Sequence, residues 1–275
     1  MAKAGEAFSR AAEIYDTTLG WRFINPVLKA QYGVDSMAET GENVAEEFQV
    51  SRKDQDAFAL RSQQRAAHAI STGYFAKEIV PVQAPGGKSG PNVVSEDEHP
   101  RSDTTLENLA KLKPIVRNPG TITAGNASGI NDGAAAIILA SEEAVKAHGL
   151  KARARVLGMA SAAVPPRIMG IGPVPSTRKL MERLGLKITD FDLIELNEAF
   201  ASQGIAVLRQ LGVAEDAEHV NPHGGAIALG HPLGMSGARL TLTAVHGLEK
   251  RGGKRALATM CVGVGQGVSL ALEKV

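Results

Sequence analysis

The sequence predicts an α/β protein in which helices pack in layers against a sheet. First, apolar segments of strand length alternate with segments of helix length from residue 153 onward. Second, glycine occurs 30 times among 275 residues, where average usage gives roughly 19, and it ends many of these segments. Third, the aromatic content is only 4%, which leaves Ala, Val, Ile and Leu to form the core.

The composition excludes several classes of protein. The 30 basic and 29 acidic residues give a net charge of +1, whereas a nucleic-acid-binding protein normally carries a basic surplus. The longest apolar run, Ala134–Ala140, is far too short to span a membrane. The single cysteine, Cys261, excludes a disulfide within the chain and a multi-cysteine metal site. Since residues 1–20 show no apolar signal-peptide segment, we expect a cytoplasmic protein that acts on a small molecule.

The N-terminal part is expected to be mostly helical. Thr40 is a candidate N-cap for a short helix that reaches Gln49, and Ser51 with Asp54 resembles a capping box for the next helix. The expected elements, in order, are a helix over 40–49, a helix over 52–70 stopped by Gly73, a strand over 79–82, a surface loop over 84–106, a buried strand over 134–140 and a helix over 142–148.

The C-terminal part is expected to alternate regularly. Strands are predicted over 153–160, 191–196, 255–261 and 268–272, and helices over 176–184, 199–211 and 236–250. Ser236 is predicted to cap the last of these helices. In sheets of this kind, ligands usually bind at the loops that follow the carboxyl ends of strands.

Three such loops carry polar residues. Asn197-Glu-Ala-Phe follows one strand, Cys261-Val-Gly-Val-Gly-Gln-Gly follows another, and His231 lies in a loop that is rich in glycine. Closely spaced glycines let the backbone approach a ligand and direct N–H groups at developing negative charge. A histidine and a thiol can move protons, and an asparagine can hold a water or an oxyanion. The combination suits carbonyl or thioester chemistry.

Each of these residues taken alone has a simpler explanation. His231 could be an ordinary loop histidine, Cys261 could be packed in the core, and Asn197 could cap the helix that follows it. The glycines after Cys261 form no dinucleotide-binding motif, because no G-x-G-x-x-G leads into a helix. His223 and His231 are too far apart for a helical metal pair, so we expect no metal site.

Taken together, the three loops resemble the signature loops of the thiolase family in order and spacing. The matching segments are Asn197-Glu-Ala-Phe-Ala, the stretch from Asn221 to Pro232 around Gly-Gly-Ala-Ile-Ala-Leu-Gly-His, and Cys261-x-Gly-x-Gly-x-Gly. Gly125-Asn-Ala-Ser-Gly-Ile-Asn-Asp-Gly is similar to the family's coenzyme A (CoA) loop. Trp21-Arg-Phe-Ile-Asn-Pro and Tyr32-Gly-Val-Asp-Ser-Met look most like the degradative members that cleave 3-oxoadipyl-CoA to succinyl-CoA and acetyl-CoA.

The resemblance implies a role for each catalytic position. His231 would deprotonate the nucleophilic cysteine of the family and donate to the substrate thioester oxygen, and Asn197 would hold the water that completes this oxyanion hole. Cys261 would move a proton on or off the α-carbon of acetyl-CoA, or activate the CoA thiol. The backbone N–H of Gly263 would contribute to a second oxyanion hole.

The resemblance also implies how CoA binds. Ser128 and Arg101 align with CoA-binding positions, and Met37 and Phe200 would line the pantetheine tunnel. Ser36 departs from the histidine that many family members have at its position. No cofactor is expected to be bound permanently, since CoA and acyl-CoA are substrates, and the intact enzyme is expected to form a homodimer or homotetramer.

The implied fold is the layered thiolase fold with its N-terminal domain largely missing. Residues 1–129 would form the loop domain that covers CoA, residues 130–152 a remnant of the N-terminal domain, and residues 153–275 the complete C-terminal βαβαβαββ domain. Cys261 matches the acid–base cysteine of the family and not its nucleophile, so this chain alone is expected to be inactive. One sheet face and the strand over 134–140 are expected to lack partners and to expose apolar surface.

Other functions remain open at this stage. A related condensing enzyme such as a ketoacyl synthase would have a histidine where Asn197 stands, which the sequence disfavours. A non-catalytic CoA-binding fragment or subunit would explain the missing nucleophile, but not the intact set of Asn197, His231 and Cys261. An incomplete sequence of an ordinary thiolase explains both observations.

Overall fold

The structure, a computed structural model, describes residues 20–21, 23–86 and 90–275, so Arg22 of the Trp21 motif lies outside the described residues. The helices are α1 (Pro26–Tyr32), α2 (Met37–Glu47), α3 (Arg52–Ser71), α4 (Leu106–Ala110), α5 (Glu142–Ala147), α6 (Pro173–Leu184), α7 (Ala201–Leu211), α8 (Ala226–Leu229) and α9 (Ser236–Arg251). The strands are β1 (Val82–Ala84), β2 (Asn92–Val94), β3 (Ala154–Ala163), β4 (Leu193–Leu196), β5 (Arg255–Val262) and β6 (Gln266–Lys274). Short 3₁₀ segments cover Phe75–Lys77, Pro166–Ile171 and Ile188–Asp190.

The C-terminal half folds around a four-stranded mixed sheet in the order β3-β6-β5-β4. Strand β6 pairs antiparallel with both β3 and β5, while β4 lies parallel to β5. Leu196 at the end of β4 is opposite Thr259 of β5, so the carboxyl ends of these two strands lie at the same edge. The predicted α/β class and the four predicted strands of this half are confirmed.

Helices cover both faces of this sheet. Ala256 and Leu257 are consecutive in β5, so their side chains point to opposite faces. Leu257 belongs to the larger core cluster together with Leu180 of α6, whereas Ala256 belongs to a second cluster with Ala244 and Leu248 of α9. The sheet is therefore a layer between α6 and α9, which confirms the predicted layered architecture.

Strand β6 lies against the residue that precedes α6 through a very close backbone contact. A Cβ on Gly267 would lie 2.0 Å from the carbonyl carbon of Gly172, and a Cβ on Gly172 would lie 2.7 Å from the nitrogen of Gly267. Both distances are shorter than any real Cβ contact, so only glycine fits at these two positions. Beside this contact, the buried Ser269 hydroxyl hydrogen-bonds to the hydroxyls of Ser176 and Thr177 on α6, at 2.7 and 2.9 Å.

The N-terminal helices pack across α7, the helix that follows β4. Helix α3 contacts α7 and α8, and α2 contacts α7 and the 3₁₀ segment Pro166–Ile171. Helix α3 begins as predicted, with Ser51 Oγ accepting a hydrogen bond from the N–H of Asp54 at 3.1 Å. Helix α2 begins earlier than predicted, because Ser36 is its N-cap and the Thr40 hydroxyl, inside the helix, donates to the carbonyl of Met37.

Three predicted strands differ from the structure. The predicted strand over 79–82 is shifted to β1, which pairs antiparallel with β2 inside the predicted loop over 84–106. The additional strand of the expected βαβαβαββ pattern is reduced to a single parallel bridge between Val220 and Ile194. Residues 134–140 form no strand, because no described segment pairs with them, and they are mostly exposed rather than buried.

Apolar side chains are exposed on the edge strand β3 and along residues 134–140. Ile138 and Leu139 are 89% and 81% exposed, and Val156 and Met159 of β3 are 46% and 60% exposed. Met159 is opposite Leu270 on the sheet face that carries α9, but α9 lies mainly over β4 and β5. The expected exposure of apolar side chains is confirmed, although residues 134–140 contribute to it as irregular chain. The expectation that one sheet face lacks partners is wrong, because α6 and α9 pack on opposite faces.

We expect Gly267→Ala to lower the free energy of unfolding by about 3 kcal/mol or more, because the new methyl group overlaps backbone atoms that cannot move aside separately. The matched control is Gly237→Ala in α9, where a Cβ would lie 3.8 Å from the nearest side-chain atom. This control should be neutral or raise stability by up to about 1 kcal/mol, because alanine favours helix. Urea unfolding followed by circular dichroism measures both, and equal stability of the two variants would contradict the contact.

Candidate functional site

The polar loops meet at the edge of the sheet where β4 and β5 both end. Asn197 directly follows β4, and Cys261 is near the end of β5, its parallel neighbour. His231 follows α8, and its Nε2 atom is 3.3 Å from Nδ2 of Asn197. The parallel pairing of β4 and β5 therefore brings Asn197 and Cys261 to one edge of the sheet, and His231 reaches the same edge through its contact with Asn197.

Asn197 is fully buried and is held by the sheet itself. Its backbone N–H donates to the carbonyl of Thr259 at 3.0 Å, which extends the β4–β5 ladder by one residue. Its side-chain oxygen Oδ1 is buried and has no hydrogen-bond partner among the described residues. Because a buried amide oxygen is normally paired with protein or water, Oδ1 is available to accept a hydrogen bond from a water or a ligand.

Hydrogen bonds fix which nitrogen of His231 carries the proton. The Ser236 hydroxyl donates its proton to the carbonyl of Pro232 at 2.9 Å, and Ser236 Oγ is 2.6 Å from His231 Nδ1. Since the hydroxyl proton is already used, Ser236 Oγ accepts from Nδ1–H of the imidazole. The Nε2 atom of the neutral ring then carries a lone pair, which faces the amide N–H of Asn197.

The surroundings keep His231 neutral. Burial lowers the pKa of His231, and the positive charge of Arg239 lowers it further. Arg239 is held nearby by a buried ion pair, in which its Nη1 donates to Oε2 of Glu195 at 3.2 Å. A neutral imidazole whose Nε2 carries no proton can accept one at neutral pH, so His231 is suited to act as a general base.

The buried carboxylate of Glu198 connects the Asn197 loop to the His231 loop. It accepts hydrogen bonds from Ser62 Oγ at 2.6 Å, from Asn221 Nδ2 at 2.8 Å and from the N–H of Ile227 at 3.2 Å. Gly225 lies so close that a Cβ there would be 2.1 Å from the carboxyl carbon. Burial raises the pKa of Glu198. All three donors are groups of the protein itself, so the hydrogen bonds of this carboxylate hold the loops in position.

Cys261 is buried in a small apolar cluster. Its neighbours there are Met169, Ala199 and Phe200, and the residue itself is 5% exposed. Burial raises the pKa of its thiol to about 12, so the sulfur is protonated at neutral pH. Because the thiolate is the nucleophilic form of cysteine, this thiol is better suited to donating a proton than to attacking a carbonyl. No hydrogen bond joins Cys261 to His231 within the described residues.

The remaining predicted residues occupy different positions around this centre. Ser128 donates to the carbonyl of Ala199 from both its N–H, at 3.0 Å, and its hydroxyl, at 3.1 Å. Phe200 packs in the Cys261 cluster, so both residues adjoin the catalytic loops. Gly263 lies exposed in the turn between β5 and β6. Roles for these residues in binding remain predictions.

Two predicted CoA-binding residues lie farther out. Met37, at the start of α2, is 44% exposed and lines a pocket with Met169 and Val264. Arg101 is exposed, and its backbone N–H donates to Oε1 of Gln63 at 2.8 Å. Within the described residues, no hydrogen bond joins the Arg101 side chain to the catalytic loops.

Sequence reasoning missed the residues that support the centre. Ser236 was predicted as a helix N-cap, but it is the first residue of α9 and its hydroxyl serves His231 and Pro232 instead. Asn131 accepts a hydrogen bond from the N–H of His231 through its Oδ1, at 3.3 Å. Glu198 lies inside the Asn197-Glu-Ala-Phe-Ala motif. The available signal for its supporting role was a charged residue between two buried positions.

Neither a metal site nor a membrane-spanning helix is found in the described part of the chain. No group of three or more His, Cys, Asp or Glu side chains there is arranged to hold a metal ion. None of the helices over residues 20–21, 23–86 and 90–275 combines the length and the apolar character needed to cross a bilayer.

Two family models match the chain. The model described as thiolase, C-terminal domain, matches residues 150–274, and the model described as thiolase, N-terminal domain, matches residues 9–143. The second match covers most of the segment assigned above to the loop domain, so the N-terminal domain that was expected to be largely missing is represented in this chain by residues 9–143. The boundaries at 129/130 and 152/153 remain predictions.

Curated relatives match over the whole chain. A beta-ketoadipyl-CoA thiolase from Pseudomonas putida is 69% identical over 275 residues, which are 100% of this chain and 68% of the relative. A 3-oxoadipyl-CoA/3-oxo-5,6-dehydrosuberyl-CoA thiolase from Escherichia coli K12 is 61% identical, over 100% of this chain and 69% of the relative.

Solved structures of similar proteins have the same fold. The crystal structure of the Bacillus anthracis acetyl-CoA acetyltransferase superposes with a TM-score of 0.90 at 42% identity, covering 100% of this chain and 68% of that one. Human mitochondrial 3-ketoacyl-CoA thiolase in complex with CoA superposes with a TM-score of 0.83 at 47% identity, covering 87% of this chain and 59% of that one.

We expect Cys261 to react slowly with a thiol reagent in the folded chain, because burial both protects the sulfur and keeps it protonated. Since Cys261 is the sole cysteine, one reaction rate is measured without competing sites. The control combines Cys261→Ser with Val264→Cys, which moves the thiol to a position that is 41% exposed. The control should react much faster at pH 8, and equal rates for the two folded proteins would contradict the burial of Cys261.

We expect Ser236→Ala to change the tautomer of His231, because Nδ1–H loses its acceptor. In ¹⁵N NMR spectra of the neutral ring, the population with the proton on Nδ1 should fall and the population with the proton on Nε2 should rise. The matched control is Thr241→Ala on the same helix, whose hydroxyl donates to the carbonyl of Gly237 at 2.8 Å, as that of Ser236 does to Pro232. An unchanged tautomer in Ser236→Ala would show that Ser236 does not fix the ring.

Proposed function

Because the chain belongs to the thiolase family and has its fold, we propose that its three loops perform the proton-transfer steps of thiolytic cleavage of a 3-oxoacyl-CoA, or of the reverse condensation. The observation that carries this proposal is the pairing of the His231 Nε2 lone pair with the buried amide of Asn197, beside the loop of a protonated Cys261. CoA and acyl-CoA are substrates here, and no permanently bound cofactor is required.

We propose that the substrate is 3-oxoadipyl-CoA, which CoA cleaves to succinyl-CoA and acetyl-CoA. The support comes from relatives that are 61–70% identical over the full chain. These relatives are named beta-ketoadipyl-CoA or 3-oxoadipyl-CoA thiolases. An acetyl-CoA acetyltransferase from Pseudomonas aeruginosa is less similar, at 52% identity over 86% of the chain. The higher sequence identity to the beta-ketoadipyl-CoA thiolases therefore favours a dicarboxylic acyl group.

The first half of the reaction needs a thiolate that attacks the 3-oxo carbon. In the proposed sequence, His231 Nε2 takes the proton from that thiol, and the bond between the 3-oxo carbon and the α-carbon breaks. The electron pair stays on the α-carbon, which takes the proton of the Cys261 thiol and leaves as acetyl-CoA. A thioester between the acyl group and the nucleophile remains.

The second half returns the groups to their starting state. The CoA thiol gives its proton to the Cys261 thiolate and attacks the acyl thioester, which releases succinyl-CoA and the nucleophile as a thiolate. That thiolate takes its proton back from the His231 imidazolium. The amide of Asn197, through a bound water, and the N–H of Gly263 would stabilise the oxyanions that form in these steps.

We propose that this chain alone does not complete the reaction. Its sole cysteine is Cys261, which is buried and protonated and already has the acid–base role, so no second thiol is available as the nucleophile. The same observation supports the alternative of a non-catalytic CoA-binding fragment or subunit. A homodimeric or homotetrameric assembly and a cytoplasmic location complete the proposal by analogy with the family.

Exchange of the α-hydrogens of acetyl-CoA in D₂O tests the site without a nucleophile, because it needs only a base and an oxyanion hole. We expect the chain to accelerate exchange, measured by mass spectrometry, while it gives no thiolysis of 3-oxoadipyl-CoA. Cys261→Ala should reduce the protein-dependent rate by at least about 100-fold. The raised pKa of Cys261 leaves little thiolate at neutral pH, so this rate should rise about tenfold per pH unit below pH 10.

The control is His148→Ala, because His148 is exposed at the end of α5, far along the chain from the catalytic loops. Binding of CoA without any exchange would favour the non-catalytic alternative. Rapid thiolysis by the chain alone that is abolished in Cys261→Ala and retained in His231→Ala would overturn the assigned roles.

A further inference from the structure

Helix α8 ends two residues before His231, and its last carbonyls lack the hydrogen bonds that a longer helix would give them. In a continuing helix the carbonyl of Ala228 would accept from the backbone nitrogen of Pro232, which carries no hydrogen. The carbonyl of Ile227 would accept from the N–H of His231, but that N–H donates to the carbonyl of Gly129 at 3.2 Å. Both carbonyls therefore need donors from outside the helix.

Side chains from α3 and from the loop after β2 supply these donors. His99 Nδ1 is 2.9 Å from the carbonyl oxygen of Ala228, and since a carbonyl only accepts, Nδ1 carries a proton and donates it. Gln63 of α3 donates from Nε2 to the carbonyl of Ile227 at 3.4 Å. Oε1 of Gln63 accepts from the N–H of Arg101 at 2.8 Å. The segment 99–101 is therefore joined to the end of α8 directly through His99 and indirectly through Gln63.

The opposite edge of the His99 ring lies against the segment 129–131. A Cβ on Gly129 would overlap Nε2 of this ring and would lie 2.7 Å from its Cδ2. The third nearest atom, at 2.9 Å, is Oδ1 of Asn131. The carbonyl of Gly129 and Oδ1 of Asn131 are also the two acceptors of the His231 backbone N–H. The ring therefore lies between the end of α8 and the segment that holds the His231 backbone.

We propose that His99 is a positioning residue of the candidate catalytic centre, which fixes the backbone of His231 by joining the end of α8 to the segment 129–131. The inference rests on the proposed function, because it assumes that His231 acts on the substrate. The imidazole of His231 meets Ser236 Oγ at 2.6 Å and Asn197 Nδ2 at 3.3 Å, so a shift of its backbone would disturb both contacts. A misplacement of about 1 Å at a catalytic group can reduce a rate about 100-fold.

His99 uses two properties of its ring, and two substitutions separate them. His99→Asn keeps an N–H near the position of Nδ1, where it can still donate to Ala228, but it loses the edge beside Gly129. His99→Phe keeps the ring and has no donor, so the buried carbonyl of Ala228 is left unpaired. We expect the hydrogen bond to be the larger contribution, because an unpaired buried carbonyl favours any movement that exposes it to water.

The first test measures exchange of the α-hydrogens of acetyl-CoA in D₂O at increasing acetyl-CoA concentration, because His231 and Asn197 border the proposed oxyanion hole. His99→Ala should lower the saturated rate roughly tenfold and change the half-saturating concentration less than about threefold. His99→Asn should return the rate to within about threefold of the parent chain, whereas His99→Phe should resemble His99→Ala. The control is His68→Ala, which removes an exposed histidine of α3 and should change neither quantity.

A second test addresses the contact between the His99 ring and Gly129. The methyl group of Gly129→Ala would displace the ring, so this variant should lower the saturated rate in the parent chain. In a His99→Ala background the two nearest atoms are gone, so the same change should cost less than about twofold. Losses that multiply in the double variant would contradict the contact.

The position of His231 is measured without any reaction through its backbone amide signal in ¹H–¹⁵N NMR spectra. His99→Ala and His99→Phe should shift this signal, His99→Asn should return it towards the parent position, and His68→Ala should leave it unchanged. Circular dichroism checks that each variant is folded. If His99→Ala does not fold, the comparison of His99→Asn with His99→Phe carries the test.

The outcomes distinguish this inference from the proposed function. An unchanged rate and an unchanged His231 signal in folded His99→Ala, or equal rates for His99→Asn and His99→Phe, would overturn the role of His99 and leave the proposed function intact. Absence of exchange in the parent chain would overturn the proposed function and the catalytic consequence of His99 with it. The His231 amide signal would then still show whether His99 fixes that backbone.

Discussion

The structure of the site depends on one buried carboxylate. Glu198 is the residue after Asn197, and its three donors come from α3, from the loop at Asn221 and from the start of α8. Asn221 in turn bonds to both the N–H and the carbonyl of Leu196 at 2.8 Å, although its own φ is +41°. The end of β4, the long helix α3 and the loop that carries His231 are therefore held at one point.

Three neutral donors satisfy the two oxygens of this buried carboxyl group, and Arg61 and Arg65 line the same cavity as Glu198. Removal of any one donor would leave an unsatisfied buried group. Gly225 is part of the same arrangement, because a side chain there would occupy the position of the carboxylate. The N-terminal helices thus contribute to the centre through Ser62 on α3, although neither Asn197 nor His231 belongs to them.

The sequence allowed the α/β class, most of the C-terminal elements and the convergence of the three loops to be predicted, because these follow from local periodicity and from the geometry of parallel strands. Residues 134–140 were predicted wrongly as a buried strand, since an apolar run does not reveal whether another strand is available to pair with it. Ser236 was assigned a local role as a helix cap, whereas its hydroxyl acts on His231. Supporting contacts of this kind depend on where side chains meet, so they became visible only in three dimensions.

The protonation states of the loops have a consequence for catalysis in the proposed reaction. His231 with its lowered pKa, Cys261 with its thiol and the amide of Asn197 all carry no charge at neutral pH. The resting centre therefore presents oriented dipoles, and no formal charge, to the carbonyl group that reacts. Negative charge appears on the oxyanion only during the reaction. Dipoles that are fixed before the reaction begins need no reorganisation when that charge develops. Turnover at such a centre should depend much less on ionic strength than the binding of the highly charged CoA does.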